Sequence, residues 1–261
     1  MTPCYFGPAD AELFGMYAAP RPSVARAASV LLCAPIGIEY MRTHYALRLL
    51  AIQLANAGFH VLRFDYHGTG DSTGSIGPGQ FDYWLDDVAL AAHELGEISG
   101  VTSLSVVGLR TGALLAVAAL ASRRFSAQSL VLWEPVVSGA DYLAALEQMH
   151  HELAAQRRQP PLPSDELMGA RFPADLRDQL GAFSMDRRLE ADTVARVALV
   201  VSEDRHEYRA LLAALRARWP AVDYRQLDDA VEWQSIEAAF DARLTSPIVR
   251  AVAEATEAGT P

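Results

Sequence analysis

Short apolar runs alternate with segments of helical period along most of this chain, and that alternation constrains the fold most. The runs "SVLLCAP" (29–35), "HVLRFDY" (60–66), "SLSVVGL" (103–109), "SLVLWEP" (129–135), "VALVVSE" (197–203) and "VDYRQL" (222–227) have strand length. Between them, 43–57, 83–95 and 111–122 have helical spacing; the second is amphipathic, with Leu85, Val88, Ala89 and Ala92 on one face. Strands apolar on both faces need cover on both, so the pattern predicts a parallel sheet between helices. "ELFGMYAAP" (12–20) is expected to supply an antiparallel edge hairpin, completing a mostly parallel, eight-stranded sheet of the α/β class. A helical, Pro-punctuated insertion covers 138–190 and is expected to sit as a small cap over the carboxyl ends of the strands. The core is then 1–137 with 191–261, one domain overall.

Charge and composition exclude several chemistries. A net charge of −10 disfavours a nucleic-acid or anionic-membrane surface. All 22 basic residues are arginine, which removes lysine Schiff bases and the P-loop lysine. Cys4 and Cys33 are too few for a disulfide framework or a zinc cluster. The "GTGDSTG" glycines (68–74) do not make a dinucleotide fingerprint, and "MHHEL" (149–153) lacks metal-ligand spacing. Neither cofactor nor metal is expected. The start of the chain has no signal segment and no run is long enough to span a bilayer, so a cytoplasmic protein is expected.

The stretch "VVGLRTGALLA" (106–116) carries the question of function. A strand enters a Gly-flanked bend and leaves as a helix, the setting of the G-x-S-x-G nucleophile elbow of α/β-hydrolases. Arg110 holds the central position between Gly108 and Gly112. "HVLRFDYHGTGDSTG" and "CAPIGIEYMRTH" resemble the corresponding segments of the serine-aminopeptidase-like group of that superfamily. Together with "YWLDDV", "GLRTGALLA" and "LVLWEPVVSGADYL", they are similar to exosortase-A-system-associated hydrolase 2 and related hydrolase-like proteins of biosynthetic clusters. The resemblance implies the α/β-hydrolase fold and says less about the reaction, because one fold hosts many functions.

The residues of an acyl-enzyme mechanism do not fall where that fold needs them. A guanidinium stays protonated and cannot act as nucleophile. The acid position after "VALVVSE" has Glu203 and Asp204, but no histidine follows His206, and Trp233 stands near the expected base. Arg110 is expected either to bind a carboxylate or phosphate through its planar fork, or to close a structural ion pair with Glu134. Glu134 and His44 are the candidate proton carriers, beside Arg110 as the third catalytic candidate. Ile36, Gly37 and Glu39 of the expected oxyanion loop, Leu109 and Thr111 at the elbow, and Trp133 and Trp233 are expected to line the substrate. His67, His150, His151 and His206 read more simply as structural or solvated, and Cys33 as an inert buried thiol. Asp65, Gly68, Gly70, Asp71 and Ser72 read as a self-bonded turn.

The leading expectation is an enzyme without acyl-enzyme chemistry. It would act on an acyl or carboxylate-bearing small molecule, with presentation as a thioester on an acyl or peptidyl carrier protein as one option, by noncovalent acid–base steps such as cyclisation, elimination or rearrangement. The alternatives are an ester or thioester hydrolase using an unusual nucleophile or an activated water, and a non-catalytic pseudohydrolase that binds a ligand or partner. A homodimer is left open.

Overall fold

The computed structural model describes residues 1–157, 165–189, 193–227, 233 and 246–259. The chain opens with strands β1 (Thr2–Phe6) and β2 (Leu13–Ala18). Strand β3 (Ala28–Cys33), helix α1 (Ile38–Asn56), strand β4 (His60–Phe64) and helix α2 (Gln80–Ser99) follow. Next come β5 (Ser103–Leu109), α3 (Thr111–Ala121) and β6 (Ala127–Trp133). Between β6 and β9 (Val194–Val201) lie α4 (Gly139–Arg157), the hairpin β7 (Glu166–Leu167) and β8 (Ala170–Arg171), α5 (Ala174–Gly181) and α6 (Met185–Arg188). Helix α7 (His206–Arg216), β10 (Val222–Gln226) and a final helix α8 (Ser246–Ala258) complete the described elements.

Eight strands form one sheet in the order β1-β2-β4-β3-β5-β6-β9-β10. The pairs β1–β2 and β2–β4 are antiparallel and the other five are parallel. The expected edge hairpin and the mostly parallel sheet are both present. Alternation along each strand divides the core. Leu31, Val106, Leu130 and Leu199 pack with α2 and α3 on one face. Val30, Leu32, Val107, Val131 and Val200 pack with α1 and α8 on the other. Helix α3 is buried over almost its whole length, because every residue from Thr111 to Leu120 is apolar, small or both.

Helix α1 begins five residues before the expected start at Thr43. Gly37 at its N-cap has φ 62°, a value that suits glycine, and turns the chain straight into the helix. Glu39 in the first turn complements the positive end of the helix dipole. The earlier start matters for the site. Glu39 and His44 are five positions apart on one helix, which at about 100° per residue points them roughly 140° apart.

Candidate active site at the elbow

The bend between β5 and α3 is built as the sequence requires. Arg110 has φ 52°, and Gly108 and Gly112 flank it for steric reasons. A Cβ on Gly108 would lie 2.4 Å from the Ala113 Cα, and one on Gly112 would lie 2.2 Å from the Cys33 carbonyl oxygen. The Arg110 N–H donates to the Trp133 carbonyl at 3.0 Å, and the Arg110 carbonyl accepts from Ala113 at 3.1 Å and Val136 at 3.3 Å. The bend is therefore held by β6 as well as by its own helix.

The Arg110 side chain is pinned in place and only 5% exposed. Its Nε and Nη2 donate to Oε1 of Glu39 at 3.1 and 3.0 Å, and its Nη1 donates to the Glu134 carbonyl at 3.3 Å. The Trp233 ring lies over the guanidinium with its centroid 4.7 Å from Cζ, and the Arg42 Cζ sits 5.2 Å from the same ring. Burial pulls the Arg110 pKa down, but Glu39, Tyr208 and Tyr142 together raise it by more, so the net shift is upward and the cation is secured.

The expected Arg110–Glu134 ion pair is not what forms. The acid partner of Arg110 is Glu39, and Glu134 contributes only a backbone carbonyl. The Glu134 carboxylate is fully buried and occupied by its own chain: Oε1 accepts the Ser202 N–H, and Oε2 accepts the Tyr208 hydroxyl at 3.0 Å. Burial and the adjacent Glu134 push the Tyr208 phenol upward, so it remains a donor. Glu134 thus ties β6 to the end of β9.

The remaining predicted residues divide between this cluster and elsewhere. The Ile36 N–H, a candidate oxyanion donor, donates instead to Thr111 Oγ1 at 2.9 Å. Leu109, Thr111 and Trp133 are wholly buried around the bend. Gly37 and Ile36 also line a cavity of about 400 Å³ with Tyr40, Thr69, Ile76 and Arg171. His44 is not brought to Arg110. It lies on the exposed side of α1 with Arg63 Nη1 3.3 Å from its Nε2, and Tyr40 edge-on at 6.1 Å. Partial burial and Arg63 lower its pKa. Glu203 pairs with Arg205, and Asp204 pairs with Arg209 at 2.6 Å. Of 228–240, where a triad histidine was sought, only Trp233 is among the described residues. The boundary residue Glu190 also lies outside them.

Two contributors had no signal in the sequence. Arg42 shares the Trp233 ring with Arg110. Tyr142 on α4 is buried, and its phenol is pushed well upward by burial and by Glu39, with Arg110 opposing. The turn after β4 is self-bonded as expected: Asp65 Oδ2 accepts the Asp71 N–H at 3.0 Å, and Ser72 Oγ donates to the Asp65 carbonyl at 2.6 Å. Burial pushes the Cys33 thiol up to about 12, consistent with an inert core residue. Among the described residues, no group of three or more His, Cys, Asp or Glu side chains could hold a metal ion. None of their helices is long and apolar enough to cross a membrane.

The sheet order, the Gly-flanked bend after β5 and the helical insertion after β6 together define an α/β-hydrolase fold. The chain belongs to the family described as serine aminopeptidase, S33, whose model matches residues 37–219. No curated protein matches it. Among solved structures it is similar to proline iminopeptidase from Mycobacterium smegmatis, with a TM-score of 0.64, 16% identity and coverage of 99% of this chain and 98% of that one. It is also similar to Est1E from Butyrivibrio proteoclasticus, solved with ferulic acid bound, at TM-score 0.66, 15% identity and 96% coverage of each chain. Mouse alpha/beta hydrolase domain-containing protein 10 aligns at TM-score 0.58 and 16% identity, over 99% of this chain and 98% of that one. At these identities the likeness concerns the fold.

Proposed function

We propose that this chain is a non-acylating member of its family, a pseudohydrolase that binds a small molecule and has neither the serine nucleophile nor the triad histidine. The observation that carries this reading is the Arg110 guanidinium at the elbow, with three of its nitrogens bonded and its face covered by Trp233. A sealed cation there leaves no hydroxyl to acylate, and the tied Ile36 N–H leaves one fewer donor for an oxyanion. The 400 Å³ cavity at Ile36, Gly37 and Tyr40, roofed by the β7–β8 hairpin, is the ligand site of this proposal. In it, 138–190 is a cap on a single core made of 1–137 and 191–261.

The test is labelling with a fluorophosphonate probe together with stopped-flow turnover of activated esters and thioesters. No labelled residue and no burst are expected, and Arg110→Ser alone is expected to stay unlabelled because no histidine follows His206. A stoichiometrically labelled serine in the wild-type chain would sink the reading.

A second reading, noncovalent acid–base catalysis, has one specific support. Glu39 Oε2, on the carboxylate that holds Arg110, and the Tyr142 hydroxyl are buried and unpartnered, so a carboxylate and a phenol remain for a ligand. His44 and Glu134 drop out of it, the first by position and the second because both its oxygens are engaged.

A further inference from the structure

A second cavity, of about 390 Å³, lies toward the amino ends of β6 and β9, at the other end of the sheet from the elbow. Strand register sets its floor. Ser129 is paired with Arg196 and Val131 with Ala198, while the intervening Leu130 and Val197 pack toward α2 and α3 on the opposite face. Ser129, Arg196, Val131 and Ala198 therefore share the α8 face of the sheet, and Ala255 and Ala258 of α8 roof them. The small side chains on both sides keep helix and sheet from interdigitating. The gap is far larger than the voids of a close-packed interior, and its size falls among small-molecule pockets of about 300–1,000 Å³.

The charges around this cavity are unequally matched. Arg225 holds Asp223, which lines the cavity, at 3.0 Å and Glu254 at 2.9 Å, and Arg26 holds Glu257 at 3.4 Å. The Arg196 side chain is exposed and makes no ion pair or hydrogen bond with another of the described residues. The Ser129 hydroxyl is spent on Ser105 Oγ at 2.8 Å, which leaves Arg196 as the side-chain donor in the lining.

We infer that this cavity is a second ligand site, for a small molecule with an apolar chain or ring and a single carboxylate. The apolar part lies against Val131, Ala198 and Ala255, and the carboxylate takes the planar fork of Arg196. A cationic head is disfavoured, because Asp223, the acid in the lining, is already held by Arg225 through Nε and Nη2. A neutral head gains the apolar burial but leaves Arg196 unmatched. The ligand touches both α8 and the sheet, so its binding stabilises the docking of that helix by mass action. None of this depends on the chemistry of the elbow.

The test titrates the full chain with octanoate and, as its neutral counterpart, 1-octanol, read by amide chemical shifts in two-dimensional NMR. Octanoate is expected to saturate below about 10 mM, with shifts centred on Ser129, Ala198 and Ala258. Arg196→Gln is expected to weaken octanoate about tenfold and to leave 1-octanol within about twofold of wild type. Arg188→Gln, at an exposed arginine of α6 outside the cavity, is expected to change neither, which separates the local pair from the effect of net charge. Ala258→Leu fills the cavity and is expected to weaken both ligands at least about tenfold. No saturation by octanoate, shifts confined to residues 35–40 beside the other cavity, or equal effects of Arg196→Gln on the two ligands would each overturn the inference. Should Ala258→Leu not fold, Arg196→Gln decides alone, because an exposed side chain is replaced without disturbing the packing.

Discussion

Glu39 Oε1 accepts hydrogen bonds from both Nε and Nη2 of Arg110, joining the first turn of α1 to the elbow across 71 residues of sequence. Both side chains are almost fully buried, so neither can be removed without stranding the other. Arg110→Ala and Glu39→Ala are each expected to cost about 3–5 kcal/mol in chemical denaturation. Arg110→Met combined with Glu39→Gln removes the unpaired charge and is expected to cost less than either alanine variant. Near-additivity of the alanine variants in a double-mutant cycle, within about 0.5 kcal/mol, would show that the pair is not coupled.

Glu134 is predicted to act on stability and not on ligand binding. Its oxygens receive the Ser202 N–H and the Tyr208 hydroxyl. Glu134→Gln places an amide nitrogen where one of those donors needs an acceptor, at an expected cost of about 1–3 kcal/mol. Hydrogen exchange of the Ser202 amide should accelerate, while ligand affinity at the cavity beside Gly37, which Glu134 does not line, stays within about twofold of wild type. A large loss of affinity with unchanged exchange would return Glu134 to the ligand site.

The glycines of the bend are predicted to be intolerant for steric reasons that differ from the usual cost of Gly in an element. Gly112→Ala forces a methyl to within 2.2 Å of the Cys33 carbonyl oxygen at the end of β3 and 2.5 Å of that of Ala34 just beyond it, both backbone atoms. A loss of more than about 3 kcal/mol, or failure to accumulate as soluble protein, is expected. Gly100→Ala is the control for space, since nothing lies within 4 Å of a Cβ there, although its φ of 68° still carries modest backbone strain. Equal melting temperatures for the two variants would argue against close approach at the elbow.

The parts of the fold that follow from local pattern were legible in the sequence, and the partners of the site were not. Strands β3, β5 and β6 announce themselves because both their faces are apolar, and the bend at Gly108–Gly112 because only small residues fit it. The partner of Arg110 depended on where α1 begins. A start at Thr43 leaves Glu39 in a loop, whereas the start at Ile38 aims it at the elbow and turns His44 toward Arg63. That difference comes from one glycine with positive φ, which single-sequence periodicity does not register. Tyr142 was invisible for another reason. Its burial comes from packing of α4 into the core on the α2–α3 side of the sheet, and no spacing along the chain encodes such a packing.

Asp87 gives the protein a pH dependence of predictable sign. On α2 it accepts the His67 N–H at 2.7 Å and is only 8% exposed. Burial pushes its carboxyl up to about 7, with the His67 N–H opposing and Asp86 adding to the rise. An unfolded Asp titrates near about 3.9, so between those values the unfolded chain has released a proton that the folded chain still holds. The stability contributed by this residue is therefore complete below the lower value and is lost progressively as pH rises toward the upper one. Asp87→Asn keeps an acceptor for His67 and abolishes the titration. Its advantage over wild type is expected to be small at pH 4.5 and about 3 kcal/mol larger at pH 8, read as the difference between denaturation curves so that other groups cancel. A gap that stays flat across this range would mean that Asp87 is ionised in the folded protein throughout, held by the His67 amide against the cost of its burial.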